Sequence, residues 1–173
     1  MDAMECIKTR VSVRSYRPDQ ISEEVIREIL EAATAAPSSG NVQDWEFIVV
    51  RNPEGKRRLS EAAYGQDFIN EAPVVVVVCS DLKKISGAYG IRGESLYSIQ
   101  NTAAAIQNLM LAAWSKGIGS CWVGAFNEER VRGILVLPSY VRPLAIITLG
   151  YPDKKPNKPE RRDLKEVVHF ERY

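Results

Sequence analysis

The sequence predicts a domain that mixes helices with a buried sheet, and three observations carry that expectation. Residues 73–79, PVVVVVC, are a continuous β-branched apolar run of strand length, which suits a central strand buried on both faces. Residues 94–116 place Leu96, Ile99, Ala103, Ile106, Leu109, Met110 and Ala113 at helical spacing, with Gly117 just beyond as a stop. The 173 residues are 45% hydrophobic and 26% charged, enough interior for one sizeable core. One domain over residues 1–173 is therefore expected, with an arm from about 152 to 173.

The elements follow in order. Asp2 with Glu5 has capping-box spacing and opens a short helix ending near Lys8 or Thr9. Ser22 caps a second helix with Glu23 and Glu24 in its first turn. Ile21 can staple onto Ile26, and Val25, Ile26, Ile29, Leu30 and Ala33 share the apolar face. Pro37 ends that helix, because proline disfavours helical geometry at the residue before it. WEFIVVR (45–51) is a strand, and Asn52 followed by Pro53 starts a further helix. SCWVGAF (120–126) is short and extended, Asn127 caps EERVRGILV, and PLAIITLGYP (143–152) is the last core strand. From Pro152 to Arg162 the chain is proline-rich and basic, an extended arm, before LKEVVHFERY turns apolar again and calls for another surface, such as a partner subunit.

Several classes of function are disfavoured by composition. Lysine plus arginine (23) nearly balances aspartate plus glutamate (22), so no overall field favours nucleic acid or an anionic membrane. Cys6, Cys79 and Cys121 are too few and too scattered for a disulfide framework or a zinc site, which suits a reducing, cytoplasmic setting with cysteines in the core. A single histidine, His169, argues against metal clusters and histidine triads, and a structural place in a C-terminal strand is expected for it. The start, MDAMECIKTR, is no signal peptide, and Glu94, Gln100, Asn101, Gln107 and Asn108 make the longest helix too polar to span a bilayer. Trp45 and Trp122 are expected in core or interface packing.

Three segments could carry chemistry. In RVSVRSYR, Arg10, Ser12 and Arg14 lie two residues apart, so an extended backbone points all three to one side. Two guanidiniums around a hydroxyl form an anion cradle, and a solvated loop with scattered arginines is the plainer alternative. GIGSCWVG lacks the spacing of a dinucleotide fingerprint and follows a helix, so Gly117 and Gly119 are read as a helix stop and turn. PSSGNVQ offers Ser38, Ser39, Asn41 and Gln43 to the polar edge of a heterocycle, although such residues also furnish any helix-to-strand turn.

Taken in order, RVSVRSY, APSSGNVQDWEFIVV, APVVVVVCSD, GIGSCWVGAF and ITLGYPDKKPNKPERRDLKEVVHFERY resemble the nitroreductase-like family of flavin enzymes across almost the whole chain. The resemblance implies an α+β three-layer sandwich: an antiparallel four-stranded sheet flanked by helices, with an extra strand exchanged from the partner's C-terminus. It implies a homodimer with two FMN at the interface and the helix at 94–116 in the dimer core. By the same resemblance Arg10, Ser12 and Arg161 contact the FMN phosphate, and Arg14 lies by flavin N1 and the C2 carbonyl. Pro37, Ser38, Ser39 and Asn41 reach FMN from the other subunit. Gly124 and Ala125 face flavin N5, and Gln66 or Asn70 touches the pyrimidine edge.

The implied reaction is ping-pong, with NADH or NADPH reducing FMN before a small acceptor of nitroaromatic or quinone type takes the electrons. No catalytic side chain is named, since the flavin carries the chemistry. A dehalogenating or flavin-fragmenting enzyme of the same fold, or a flavin-binding redox sensor, are the alternatives. The chain departs from the family pattern at Asp44, expected near the entrance, and at Pro159, which leaves Lys158 or Arg162 as a second phosphate contact. The stretch from Asp81 to Glu94 is short for a substrate lid.

Overall fold

A computed structural model describes residues 1–154 and 156–173 of the chain. The helices are α1 (Ala3–Thr9), α2 (Glu23–Thr34), α3 (Pro53–Ala62), α4 (Phe68–Glu71), α5 (Leu82–Arg92), α6 (Ser98–Ser115) and α7 (Glu128–Leu135). Between them run the strands β1 (Trp45–Val50), β2 (Val74–Asp81), β3 (Gly119–Val123) and β4 (Val141–Gly150). They form one antiparallel sheet in the order β1-β2-β4-β3.

The valine run explains the layering. Successive side chains of a strand point to opposite faces. Val74, Val76 and Val78 accordingly pack with Ile147 and Leu149 against α2 and α6, while Val75, Val77 and Cys79 pack with Ile146 against α3, α4 and α7. Helices thus cover both faces of the sheet, giving the expected α+β three-layer sandwich. The local signals hold as well. Asp2 Oδ1 accepts from the Glu5 amide at 2.8 Å, Ser22 Oγ from Val25 at 3.3 Å, Asn52 Oδ1 from Gly55 at 3.1 Å and Asn127 Oδ1 from Arg130 at 2.9 Å. Gly117, at φ +74°, takes the left-handed position after α6.

Several expectations are refined by the structure. The helix at 94–116 opens as a π-helical turn over Gly93–Tyr97 that leads into α6, and a separate helix, α5, precedes it with a kink where Gly90 adopts φ 55°, ψ −144°. Asp81 supplies the start signal of α5, its Oδ1 accepting from the amides of Lys83 and Lys84, so the short stretch from Asp81 to Glu94 is helical. The buried stripe of α6 is also offset. Ser98, Asn101, Thr102 and Ala105 face inward, Asn101 onto the buried Asp44 carboxylate, and Ile99 is 45% exposed. Gly119 is no turn residue but the first residue of β3.

The C-terminal arm follows β4. Among the described residues no strand follows β4; Leu164–Glu166 form a 3-10 turn, and Leu164, Val167, Val168 and Phe170 are exposed. His169 is likewise exposed and lies 4.4 Å, centroid to centroid, from the Tyr173 ring. A strand forms only against a neighbouring edge, and the exchanged strand expected here would find that edge on a partner subunit.

Candidate functional site

The segment after α1 is extended and lies along the sheet. The Val13 amide donates to the Ser120 carbonyl at 2.9 Å, and the Arg17 amide to the Tyr151 carbonyl at 2.9 Å. Val11 and Val13 are buried, so alternation turns Arg10, Ser12 and Arg14 the other way, as their spacing predicts. Tyr16 pins the segment: its hydroxyl donates to the Val13 carbonyl and sits 2.6 Å from Thr148 Oγ1. Burial raises the Tyr16 phenol well above its ordinary range.

Arg10, Ser12 and Arg14 line one wall of a pocket of about 370 Å³, and Asn157, Lys158, Pro159 and Arg161 line the other. Residues from the two ends of the chain therefore converge on one cavity. Arg10 is held below its usual range, first by partial burial and then by the neighbouring charge of Arg161. Among the described residues, Arg10, Arg14, Lys158 and Arg161 form no ion pair with a carboxylate. Four cations with no internal counter-charge make a site for an anion. Of the two alternatives for the extra contact, Lys158 lines the pocket, whereas Arg162 is engaged by Glu166 at 3.1 Å.

Next to this pocket, the Arg14 guanidinium lies 5.9 Å from the Phe68 ring centroid on α4. Gln66, just before α4, donates through Nε2 to the carbonyls of Ala63 at 3.0 Å and Ala125 at 3.2 Å. That second bond joins two of the predicted site residues directly. Gly124 and Ala125 are exposed just beyond β3, and Asn70 is exposed on α4, outside the pocket lining.

Pro37, Ser38, Ser39 and Asn41 contribute nothing to that lining. They form a separate loop, with a 3-10 turn over Ser39–Asn41, whose anchor is Asn101 on α6. Asp44, expected at an entrance, is fully buried and accepts from Asn101 Nδ2 at 2.6 Å and from the Ser80 hydroxyl. Its charge is spent inside the molecule, because short polar partners on α6 and β2 enclose it.

Sequence reasoning passed over Asn101, Ser80, Phe68 and Asn157. Asn101 left a trace, since an amide on the inward stripe of an apolar helix needs a buried partner. Asn157 left none, because nothing local says which way an extended arm folds back. Cys79 and Cys121 are buried, as expected, and so is Cys6; Trp45 is in the core, while Trp122 is substantially exposed.

Known proteins of similar sequence and fold point to one family. The profile described as the Nitroreductase family matches residues 7–66 and 61–151. An NADH dehydrogenase of Thermus thermophilus is 38% identical over 195 residues, covering 97% of this chain and 95% of that protein. An FMN reductase (NAD(P)H) of Bacillus subtilis is 32% identical over 175 residues, covering 94% of this chain and 70% of its own length. A crystal structure of a nitroreductase family protein from Clostridium difficile superposes with a TM-score of 0.88 at 32% identity over 100% of both chains. With the sandwich, the cationic pocket and these likenesses together, the chain belongs to the nitroreductase family.

Proposed function

We propose that the pocket between Arg10 and Arg161 holds the phosphate of FMN in an NAD(P)H-dependent flavin oxidoreductase. The convergence of Arg10, Arg14, Lys158 and Arg161 without a carboxylate partner carries this reading. The donor set fits the group. Guanidiniums match phosphate oxygens in pairs, and the Ser12 hydroxyl adds a neutral donor between them. The chain is an NAD(P)H-dependent flavin oxidoreductase, and FMN is its cofactor, as the names of its relatives support.

Bound FMN would supply the redox chemistry, taking two electrons from NADH or NADPH and passing them to a small acceptor of nitroaromatic or quinone type in a separate half-reaction. The protein's part is placement. Arg14 would put positive charge beside the ring where reduction builds negative charge, held in place by Phe68. Gln66, Asn70, Gly124 and Ala125 would meet the ring, with the Gln66 bond to the Ala125 carbonyl steadying that wall. No side-chain acid or base is required of this chain.

The loop Pro37–Asn41 and the C-terminal arm fit a homodimer. The loop lies away from the pocket of its own subunit and would reach the flavin of the partner. Exposed Met4, Ile7 and Ile99 offer apolar surface for the subunit contact. Exposed Leu164, Val167, Val168 and Phe170 would be buried if the arm crossed over as a strand, and β1 leaves one edge of the sheet unpaired. No helix among the described residues is long and apolar enough to cross a membrane, and three buried unpaired thiols suit a cytoplasmic setting.

The test is spectroscopic. Protein loaded with FMN is titrated anaerobically with NADH or NADPH, then given a quinone. Bleaching of the visible flavin band followed by its return supports the enzyme reading. A flavin that binds but is bleached by neither nicotinamide refutes it.

A further inference from the structure

Three residues between Ser38 and Asp44 take positive φ: Gly40 at 55°, Asn41 at 56° and Gln43 at 52°. Non-glycine residues hold that conformation only where their surroundings determine it. Part of the constraint is local. The Asn41 amide donates to the Ser38 carbonyl at 3.0 Å, and the Gln43 amide to Ser38 Oγ at 3.1 Å. The rest comes from below. Asn101 Oδ1 accepts from the Ser39 amide at 2.9 Å and from its hydroxyl at 3.2 Å.

On the opposite side, Asn101 Nδ2 donates to Asp44 Oδ1 at 2.6 Å. The carboxylate also accepts from the Ser80 hydroxyl, and the Asp44 carbonyl accepts from the Asp81 amide at 2.7 Å. Asp44 is 0% and Asn101 3% exposed, and Asp44 has no ion pair among the described residues. The Lys84 ammonium, raised first by its bond to Glu46 and more weakly by the Asp81 and Asp44 charges, is paired with Glu46 at 2.7 Å, so the buried Asp44 carboxylate relies on its hydrogen bonds.

The chemistry of the pair gives it a direction. An Asp carboxylate offers acceptors, so it must face the amide nitrogen of Asn101. That orientation turns Asn101 Oδ1 toward the loop, where the Ser39 amide needs an acceptor. A hydrophobic pair would fill the same volume and leave that amide unbonded. The relay also joins three elements: β2 through Ser80, α6 through Asn101, and the loop through Ser39.

We infer that Asp44 and Asn101 are positioning residues that hold the loop from Ser38 to Gln43 in its flavin-binding conformation. This rests on the reading that the loop contacts FMN. Asp44 is then a device for loop geometry, not for acceptor choice.

The decisive variants exchange the two groups. Asn101→Asp sets carboxylate against carboxylate and should break the relay, while Asp44→Asn combined with Asn101→Asp restores one donor between two acceptors. Full-length flavin-free protein is titrated with FMN, and amide exchange at Ser39 is followed in the same samples without FMN. Expected are at least tenfold weaker FMN binding and faster Ser39 exchange in Asn101→Asp, with both returning to within threefold of wild type in the double variant. If Asn101→Asp fails to fold, Asn101→Ala, which removes the acceptor of the Ser39 amide, takes its place with the same expected losses, and wild-type FMN binding in it overturns the relay.

A third variant, Asn41→Ala at the loop tip, separates this inference from the reading beneath it. Weakened binding in Asn41→Ala with wild-type binding in Asn101→Asp would overturn the relay alone, as would a double variant that stays impaired. Wild-type binding in Asn41→Ala together with every relay variant would mean that the loop does not meet the flavin, and both statements would fall.

Discussion

Gly119 and Gly150 face each other as register partners across the β3–β4 ladder, and their missing side chains make room for the arginine-bearing segment. A Cβ on Gly119 would lie 2.6 Å from Val13 Cγ2, and one on Gly150 would lie 2.6 Å from the Tyr16 ring and 2.7 Å from Pro73 Cδ. Neither glycine needs an unusual φ, so the requirement is space alone. Gly119→Ala should therefore push Val13 off the sheet, cost roughly 1–3 kcal/mol in overpacking, and weaken FMN binding through displaced Arg10, Ser12 and Arg14. Denaturant unfolding and FMN titration check the two effects, and an unchanged affinity would show that the segment tolerates the shift.

Tyr16 is the second restraint on that segment. Tyr16→Phe removes a buried hydroxyl that serves both the Val13 carbonyl and Thr148, and should cost about 1–2 kcal/mol near pH 7. The pH dependence has a definite sign. Folding raises the phenol above its ordinary 10.0, so the folded state keeps the proton that the unfolded state releases. The wild-type contribution is full below pH 10 and is lost as pH rises beyond it. Urea melts at pH 7.5 and 10.5 should show the gap between wild type and Tyr16→Phe narrowing at the higher pH.

Cysteine reactivity gives an independent check on the core. Cys79 faces the α3, α4 and α7 side of the sheet, and burial pushes its thiol up to about 12. Burial also raises Cys121, more than the nearby Arg14 and Arg10 lower it. At pH 8 in native buffer neither should react with a thiol-specific chromogenic reagent within minutes, and all three cysteines should react once the protein is unfolded. Rapid native labelling of Cys121 would contradict the closed packing beneath Arg14.

The readable parts of this fold were those set by short-range chemistry. Caps at Asp2, Ser22, Asn52 and Asn127 need only the backbone amides two or three residues on. The valine run needs only its own alternation, and the spacing of Arg10, Ser12 and Arg14 likewise decides which way they point. What stayed hidden depends on distant partners. Asp44 looked like an exposed loop charge because Ser80 and Asn101, which enclose it, lie far along the chain. Asn157 and Lys158 joined the pocket through the path of an arm that no local pattern describes. The inward stripe of α6 excludes Ile99, and apolar spacing alone does not reveal that Asn101 turns toward a buried carboxylate instead.

The central claim is that the four cations around Arg10 bind a phosphate. Flavin-free protein is titrated in parallel with FMN and with riboflavin, which lacks the phosphate, for wild type, Arg10→Ala, Arg161→Ala and the exposed control Arg58→Ala. Charge-assisted phosphate bonds should make FMN bind about 100-fold tighter than riboflavin to wild type and to Arg58→Ala. In Arg10→Ala and Arg161→Ala that preference should shrink about tenfold or more, with riboflavin binding unchanged. Equal affinity of wild type for the two flavins, or an undiminished preference in both arginine variants, would contradict the account.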